Sequence, residues 1–413
     1  MTTFFVQFFE FAFFLTSAVF LILTPFFNPT ARTCFSVMSF AWFMSNLLRH
    51  KQKFYRGLFI PNYLTRYLIL FVGALIFSVL FSTNHYQSQK ILFDRYLMFF
   101  VFFYMGLWIM FSIKRYFYIL ISIFMGMSFL FGFGGIRDFI YYTYTKPAFA
   151  ERLWSIFGFR IPYFALPLYL TFFIPFNFFI LLLGKHRWLR MFAFINVIAL
   201  SLCLLWTSSR IACFAVLLTI VPALLLIKNK KNKFLIILFA FLFMCGALLF
   251  PRTRERIKTI PDIQKWSNRL PLYQSALKIF FDYPVFGSGV GTFEKILHTP
   301  KYELPSDYPV AKELNLHAHN TYLEIAAEMG VVGLAAFILF FGAFFYHAVS
   351  LVKNSTLSNI DTAIFCGLSA SIFSILIFAF GTTIIIVGPT VSTYFWFLFG
   401  MATGFLAKKK KDS

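Results

Sequence analysis

The sequence has 413 residues, of which 60% are hydrophobic and 13% are charged. A soluble domain of this composition would leave large apolar patches in water, so an ordinary water-soluble protein is excluded. The net charge of +22 does not indicate nucleic-acid binding. Much of it flanks apolar blocks, where it indicates membrane topology and attraction to lipid headgroups.

Apolar residues occur in blocks of about twenty, the length that a helix needs to cross roughly 30 Å of hydrocarbon. Helices are expected because an unpaired backbone group in lipid costs several kcal/mol. The sequence therefore predicts an all-α polytopic membrane protein of about 12 transmembrane helices, with one large periplasmic loop that contains short helices. The predicted membrane helices are 4–23, 33–48, 67–82, 97–113, 116–135, 161–183, 189–206, 211–227, 234–250, 330–350, 361–382 and 387–407.

The first block lacks the charged segment and cleavage site of a removable signal peptide, so it is expected to remain as a membrane helix. Glu10 within this block is costly in hydrocarbon, and its side chain should therefore face the interior of the bundle. The five cysteines lie in or beside apolar blocks without ligand spacing. Neither a disulfide framework nor a metal site is expected from them.

Basic residues set the predicted orientation. The short connections and the C-terminal tail on one side hold 19 Lys and Arg, whereas the short connections on the other side hold 8. Because basic short loops stay in the cytoplasm, both termini of this multi-pass protein are predicted to lie on the cytoplasmic side of a bacterial inner membrane. The chain then divides into helices one to nine (1–250), a periplasmic loop (251–329), and the last three helices with a basic tail (330–413).

The long loop is predicted to contain an amphipathic helix. Ser267 or Asn268 can cap this helix, Pro271 suits its first turn, and apolar residues follow at helical spacing as far as Asp282. Such a helix is expected to lie along the membrane surface. Three glycines then predict a tight turn back to the membrane, with an amide nest for an anion as the alternative. They are Gly287, Gly289 and Gly291.

The polar pattern with the clearest chemistry follows this loop. A His-Asn pair, nine intervening residues and a Gly-x-x-Gly sequence occur at His319, Asn320, Gly330 and Gly333. Two further patterns accompany it: Thr207-Ser208-Ser209-Arg210, and Arg269 followed by Asp282-Tyr283-Pro284-Val285-Phe286-Gly287-Ser288-Gly289. Over roughly 190–345, these residues resemble the signature of the O-antigen ligase and O-antigen polymerase superfamily. Chain length and helix number resemble its ligase branch.

The resemblance implies a glycosyltransferase that moves a preassembled glycan from undecaprenyl pyrophosphate to a sugar of lipid A–core. The implied reaction takes place at the periplasmic face with inversion and needs no ATP, metal or other cofactor. The expected partners are the donor, the acceptor and membrane lipids. One alternative is an O-antigen polymerase, whose acceptor is a second lipid-linked repeat. The other is a flippase or transporter, which is disfavoured because Glu10 is essentially the only ionisable residue within the predicted helices.

The residue types suit this chemistry. A departing diphosphate needs cationic partners, and the guanidinium groups of Arg210 and Arg269 can donate paired hydrogen bonds to it. His319 is the predicted base for the acceptor hydroxyl, because an imidazole titrates near neutral pH. Asn320 and Glu324 are candidates for orienting it, and His317 is a further supporting candidate for which a structural role is favoured. No Asp-x-Asp pattern occurs, so a metal-independent site is predicted.

Overall fold

The computed structural model describes residues 2–27, 30–50, 62–145, 155–161, 165–258, 269–302, 304, 316–354, 357–383, 385–387 and 389–412. The first six helices are α1 (Thr2–Leu23), α2 (Thr30–His50), α3 (Thr65–Leu80), α4 (His85–Ile91), α5 (Leu97–Ser112) and α6 (Lys114–Thr145). A π-turn, Leu92–Tyr96, joins α4 to α5. An antiparallel hairpin of β1 (Ser155–Ile156) and β2 (Phe159–Arg160) follows α6.

The second half of the chain continues this helical pattern. Its helices are α7 (Ala165–Leu183), α8 (Arg187–Thr207), α9 (Arg210–Leu226), α10 (Lys230–Leu249), α11 (Pro251–Lys258), α12 (Leu270–Asp282), α13 (Phe293–Leu297), α14 (Thr321–Asn354), α15 (Asn359–Phe378) and α16 (Pro389–Asp412). A 3₁₀ turn, Ala379–Gly381, follows α15.

Each predicted membrane block coincides with a helix. Within the described ranges, nine helices are long and apolar enough to cross a membrane, and α3 and α9 are shorter apolar helices. These findings confirm an all-α polytopic membrane protein. The number of crossings and the orientation of the termini stay predictions.

Burial separates the centre of the bundle from its lipid-facing edge. The apolar part of α16 is wholly buried and packs along α5, while α7 is almost as buried and packs against α15 and α8. By contrast, only 17% of the apolar part of α10 is buried. In a membrane, an exposed apolar helix of this kind contacts lipid, so α10 lies at the periphery of the bundle.

Ion pairs join several of the helices. Glu10 is buried and pairs with Arg49 of α2, so its side chain faces a neighbouring helix as expected. Lys114 Nζ lies 3.1 Å from Asp361 Oδ2, and the Tyr118 hydroxyl donates to Asp361 Oδ1 over 2.5 Å. The contacts of Asp361 bring the N-terminal ends of α6 and α15 together, which fits the prediction that both helices start on the same side.

The end of α6 differs from the sequence prediction. The helix continues to Thr145 instead of ending near residue 135. Its charged residue Asp138 is fully buried and accepts hydrogen bonds from Ser155 Oγ at 2.6 Å, Gly158 N at 2.7 Å and Arg137 Nη1 at 2.7 Å. Because the hairpin satisfies this carboxylate, a polar residue that suggested a loop is accommodated on a helix.

Candidate functional site

Arg210 is positioned by the sharp turn between α8 and α9. Ser208 ends α8 in the left-handed backbone region, with φ of +54°, and Ser209 returns to an extended conformation before α9 begins at Arg210. The Arg210 side chain is half-buried. The turn therefore places a guanidinium at the first residue of the apolar helix α9.

Arg269 is positioned by the amphipathic helix α12. The buried face of α12 comprises Leu272, Ser275, Ala276 and Ile279 and packs against α14, with Pro271 in its first turn. This confirms the predicted helix, whereas its predicted caps Ser267 and Asn268 lie outside the described residues. A methyl group added to Gly381 would lie 3.3 Å from Arg269 Nη1 and 3.1 Å from Ile211 Cγ1. Arg269 therefore reaches the start of α9, within electrostatic range of Arg210.

His319 stands on the short segment that leads into α14. Its backbone is left-handed, with φ of +49°, and its ring forms no hydrogen bond with the residues that the structure describes. Two residues later, Thr321 donates from N (3.0 Å) and from Oγ1 (2.7 Å) to Thr382 O. The 379–383 segment thus contacts the side chain of Arg269 on one side and the start of α14 on the other. Arg269 is within electrostatic range of both Arg210 and His319.

The two histidines of the motif have opposite electrostatic environments. Partial removal of water and the charge of Arg269 lower the pKa of His319, although its side chain keeps an exposed surface. Burial opposes the charged form of His317, but the charge and hydrogen bond of Glu324 outweigh that effect and raise its pKa. His319 is therefore the more readily unprotonated of the two at neutral pH, as a base must be.

Glu324 and Asn320 shape the backbone around His319 without touching its ring. Glu324 is buried, with Oε1 2.9 Å from His317 Nδ1 and Oε2 accepting from Ala318 N over 2.8 Å. Asn320 Oδ1 accepts from Tyr322 N at 3.0 Å and from Leu323 N at 3.1 Å, which caps α14. His317 is thus held by the carboxylate of Glu324, and Asn320 caps the N-terminus of α14.

The glycine loop, residues 284–293, is clamped onto a break in α14. Helical geometry is interrupted at Gly330, which has φ of +63° and ψ of −165°. Backbone hydrogen bonds cross the break in both directions. Ser288 N donates to Ala327 O at 2.9 Å, Gly289 N to Glu328 O at 3.0 Å, Val331 N to Pro284 O at 2.8 Å and Val332 N to Val285 O at 3.2 Å. The loop therefore supplies partners for backbone groups that the kink releases.

Two glycines permit this close approach of backbones. A Cβ at Gly287 would lie 2.1 Å from the carbonyl carbon of Glu328, and one at Gly330 would lie 2.2 Å from Val285 O. Phe293 N donates to Glu328 Oε1 over 3.1 Å, so the loop amides also receive a carboxylate of the protein itself. The predicted tight turn is present, and its anion-binding capacity is used internally. Sequence patterns alone had not singled out Glu328.

Metal-ligating side chains do not cluster in the part of the chain that the structure describes. No group of three or more His, Cys, Asp or Glu residues there has the geometry to hold an ion. The arrangement instead combines two guanidinium groups with an imidazole whose pKa is lowered. Chemically, such a site can hold an anionic leaving group and accept a proton from a hydroxyl.

A comparison with protein families identifies residues 195–338 as a match to the family model described as O-Antigen ligase. The matched region contains the α8–α9 turn, α12, the glycine loop and the His319 motif, and therefore all of the gathered side chains named above. A comparison with curated proteins found no match.

Proposed function

We propose, from the premise that this chain belongs to the O-antigen ligase family through residues 195–338, that it transfers a glycan from undecaprenyl pyrophosphate to a sugar of lipid A–core. Family membership supports a ligase-type or polymerase-type enzyme. Our proposal adds the donor, the acceptor, the periplasmic face of the inner membrane, and independence from metal and ATP. The observation that supports it is that Arg269 lies beside Gly381, within electrostatic range of both Arg210 and His319.

The proposed step is a single displacement at the anomeric carbon of the donor glycan. The acceptor hydroxyl oxygen forms the new C–O bond while the bond from that carbon to the pyrophosphate oxygen breaks. The electron pair leaves with undecaprenyl diphosphate, whose growing charge is held by Arg210 and Arg269. The hydroxyl proton passes to His319 and then to solvent. Atoms and charge balance without a further reactant.

A polymerase would use the same donor chemistry with a second lipid-linked repeat as acceptor. Disruption of the gene separates the two reactions through the lipopolysaccharide banding pattern. A ligase loss leaves bare core while lipid-linked polymer accumulates, which is the outcome we expect. Core that carries a single repeat would instead identify a polymerase. Glycan transfer by the purified protein in detergent would exclude transport as its whole function.

Removing either arginine should weaken transfer strongly. A charge-assisted hydrogen bond contributes about 1.5–3 kcal/mol, so Arg210→Ala and Arg269→Ala should each reduce kcat/KM by about 10-fold to 150-fold. Arg210→Lys should recover part of this loss, because a lysine keeps the charge without the paired donors. Transfer from a purified lipid-linked donor measures the effect, and Lys278→Ala, an exposed charge on α12, is the matched control. Unchanged transfer by an alanine variant would remove that arginine from the mechanism.

The pH dependence of transfer should reflect His319. Because its pKa is lowered by loss of water and by Arg269, the base stays unprotonated through neutral pH. Activity should therefore be flat near pH 7 and fall only as the pH drops below the lowered pKa. Arg269→Gln removes one of the lowering effects, so the acid limb of its kcat/KM profile should move to higher pH. A limb that stays in place, or moves to lower pH, would contradict the assignment.

A further inference from the structure

A polar cavity lies beside the His319 motif, on the side that His317 faces. We call it the polar cup. Its enclosed space is about 20 Å³, which admits a hydroxyl group or a water, and the rest of the cavity is open to the outside. The polar groups of its wall are Gln87, Arg95, Glu294, His317, Glu324 and Glu328. The first four are half-buried and form the rim, whereas Glu324 and Glu328 are buried at the floor.

Arg95 is the residue in the cup whose role the protein itself does not explain. It lies in the π-turn Leu92–Tyr96, an arrangement that is rare in helices and frequent at functional sites. Its guanidinium is half-buried but forms no hydrogen bond or ion pair with any part of the chain that the structure describes. Its N–H donors are therefore available to a ligand.

The charges in the cup determine which ligand suits it. Arg95 and His317 face three carboxylates, those of Glu294, Glu324 and Glu328. A second diphosphate would be repelled by this wall, and neither Arg210 nor Arg269 is among the described residues that line it. A sugar hydroxyl both donates to a carboxylate and accepts from an arginine or an amide. The mixed wall therefore favours a sugar over an anion.

The position of the cup favours the acceptor's sugar over the donor's. In a displacement, the incoming hydroxyl approaches opposite the leaving group. The leaving group in our proposed function is held at Arg210 and Arg269, whereas the cup opens beside His317, two residues from the proposed base. Gln87 and Arg95 also lie outside the matched residues 195–338, so the cup combines this region with an earlier part of the chain.

We propose that the polar cup binds a sugar of the acceptor, with Arg95 and Gln87 as the residues that recognise its hydroxyl groups. The inference rests on the proposed function. It makes Arg95 a specificity-determining residue that takes no part in releasing the diphosphate. The effect of removing it should therefore appear in the binding of one substrate alone.

The test is steady-state transfer by the purified full-length protein, with the lipid-linked glycan and lipid A–core varied separately. Arg95→Ala should raise the KM for lipid A–core at least 10-fold, and Gln87→Ala should raise it by a smaller factor. The KM for the donor should change less than twofold in both variants. Lys90→Ala is the matched control, because it removes an exposed charge from α4 beside Gln87 and should leave both constants unchanged. Equal melting temperatures of the variants and the wild type confirm that all are folded.

Direct binding separates this inference from the proposed function. Core oligosaccharide freed of lipid A is the probe, and Arg95→Ala should weaken its binding at least 10-fold. If the wild type transfers glycan but both cup variants keep their acceptor KM, the cup is not the acceptor site. An increase in the donor KM of Arg95→Ala or Gln87→Ala would also overturn the assignment of the cup to the acceptor. If the wild type transfers nothing, the proposed function fails, and loss of oligosaccharide binding in Arg95→Ala would still support a sugar site.

Discussion

His319→Ala is expected to reduce kcat/KM for glycan transfer by about 10²-fold to 10⁴-fold, the range typical of a lost general base. The side chain is available for this role because its ring has no hydrogen-bond partner in the described residues and its pKa is lowered. The hydroxyl of an acceptor sugar would otherwise have to lose its proton to water. Single-turnover transfer with saturating donor and acceptor measures this chemical step directly.

The histidine prediction has two controls. His298→Ala removes an exposed imidazole at the end of α13 and should leave transfer unchanged. The His319→Ala protein should still reach the membrane and should elute as the wild type does, because the ring makes no hydrogen bond on which the described fold depends. Transfer within threefold of the wild type would show that another group accepts the proton.

Gly330→Ala is expected to lower the stability of the protein by about 3–6 kcal/mol. The left-handed backbone at this residue disfavours any side chain, and the new Cβ would lie 2.2 Å from Val285 O. Moving the glycine loop away would break backbone hydrogen bonds of Val331 and Val332 to the loop. The lost hydrogen bonds add to the cost of the strained backbone, so the loss extends beyond the one contact.

The yield of monodisperse protein and its melting temperature in detergent test this prediction. Gly342→Ala is the matched control, because it lies on the same helix and nothing lies within 4 Å of an added Cβ there. That change should be neutral or slightly stabilising, since alanine favours a helix over glycine. A Gly330→Ala protein that melts with the wild type would mean that the clamp tolerates a side chain at this position.

Several features of the site were predictable because they follow from local chemistry. The amphipathic helix α12 follows from apolar spacing and from Pro271, and the turn after Asp282 follows from its glycines. Motif spacing selected Arg210, Arg269 and His319, and in the structure Arg269 is within electrostatic range of the other two. The amphipathic pattern did not indicate that Glu328 accepts a hydrogen bond from the glycine loop. In the sequence, Glu328 has the pattern of an ordinary polar residue on a helix.

Other features depend on contacts between residues far apart in the chain. Ser78 Oγ donates to Glu328 O over 2.7 Å. Thr83 N donates to Ser288 O over 2.9 Å, which attaches the glycine loop to the C-terminal end of α3. In the sequence, Arg95 is one of the charged residues in the short polar connection 83–96. Its place opposite His317 follows from the packing of the π-turn against the loop, and no local pattern encodes that packing.

The sequence by itself determined the membrane class, the helices and the residues with suitable chemistry, because hydrophobic length and residue type act locally. Only the tertiary structure decided that Arg269 lies within electrostatic range of Arg210 and His319, that Glu328 accepts a hydrogen bond from the glycine loop, and that Arg95 faces a polar cup. Each of these depends on which distant backbone and side-chain groups satisfy one another once the helices have packed. That pairing is a property of the whole bundle.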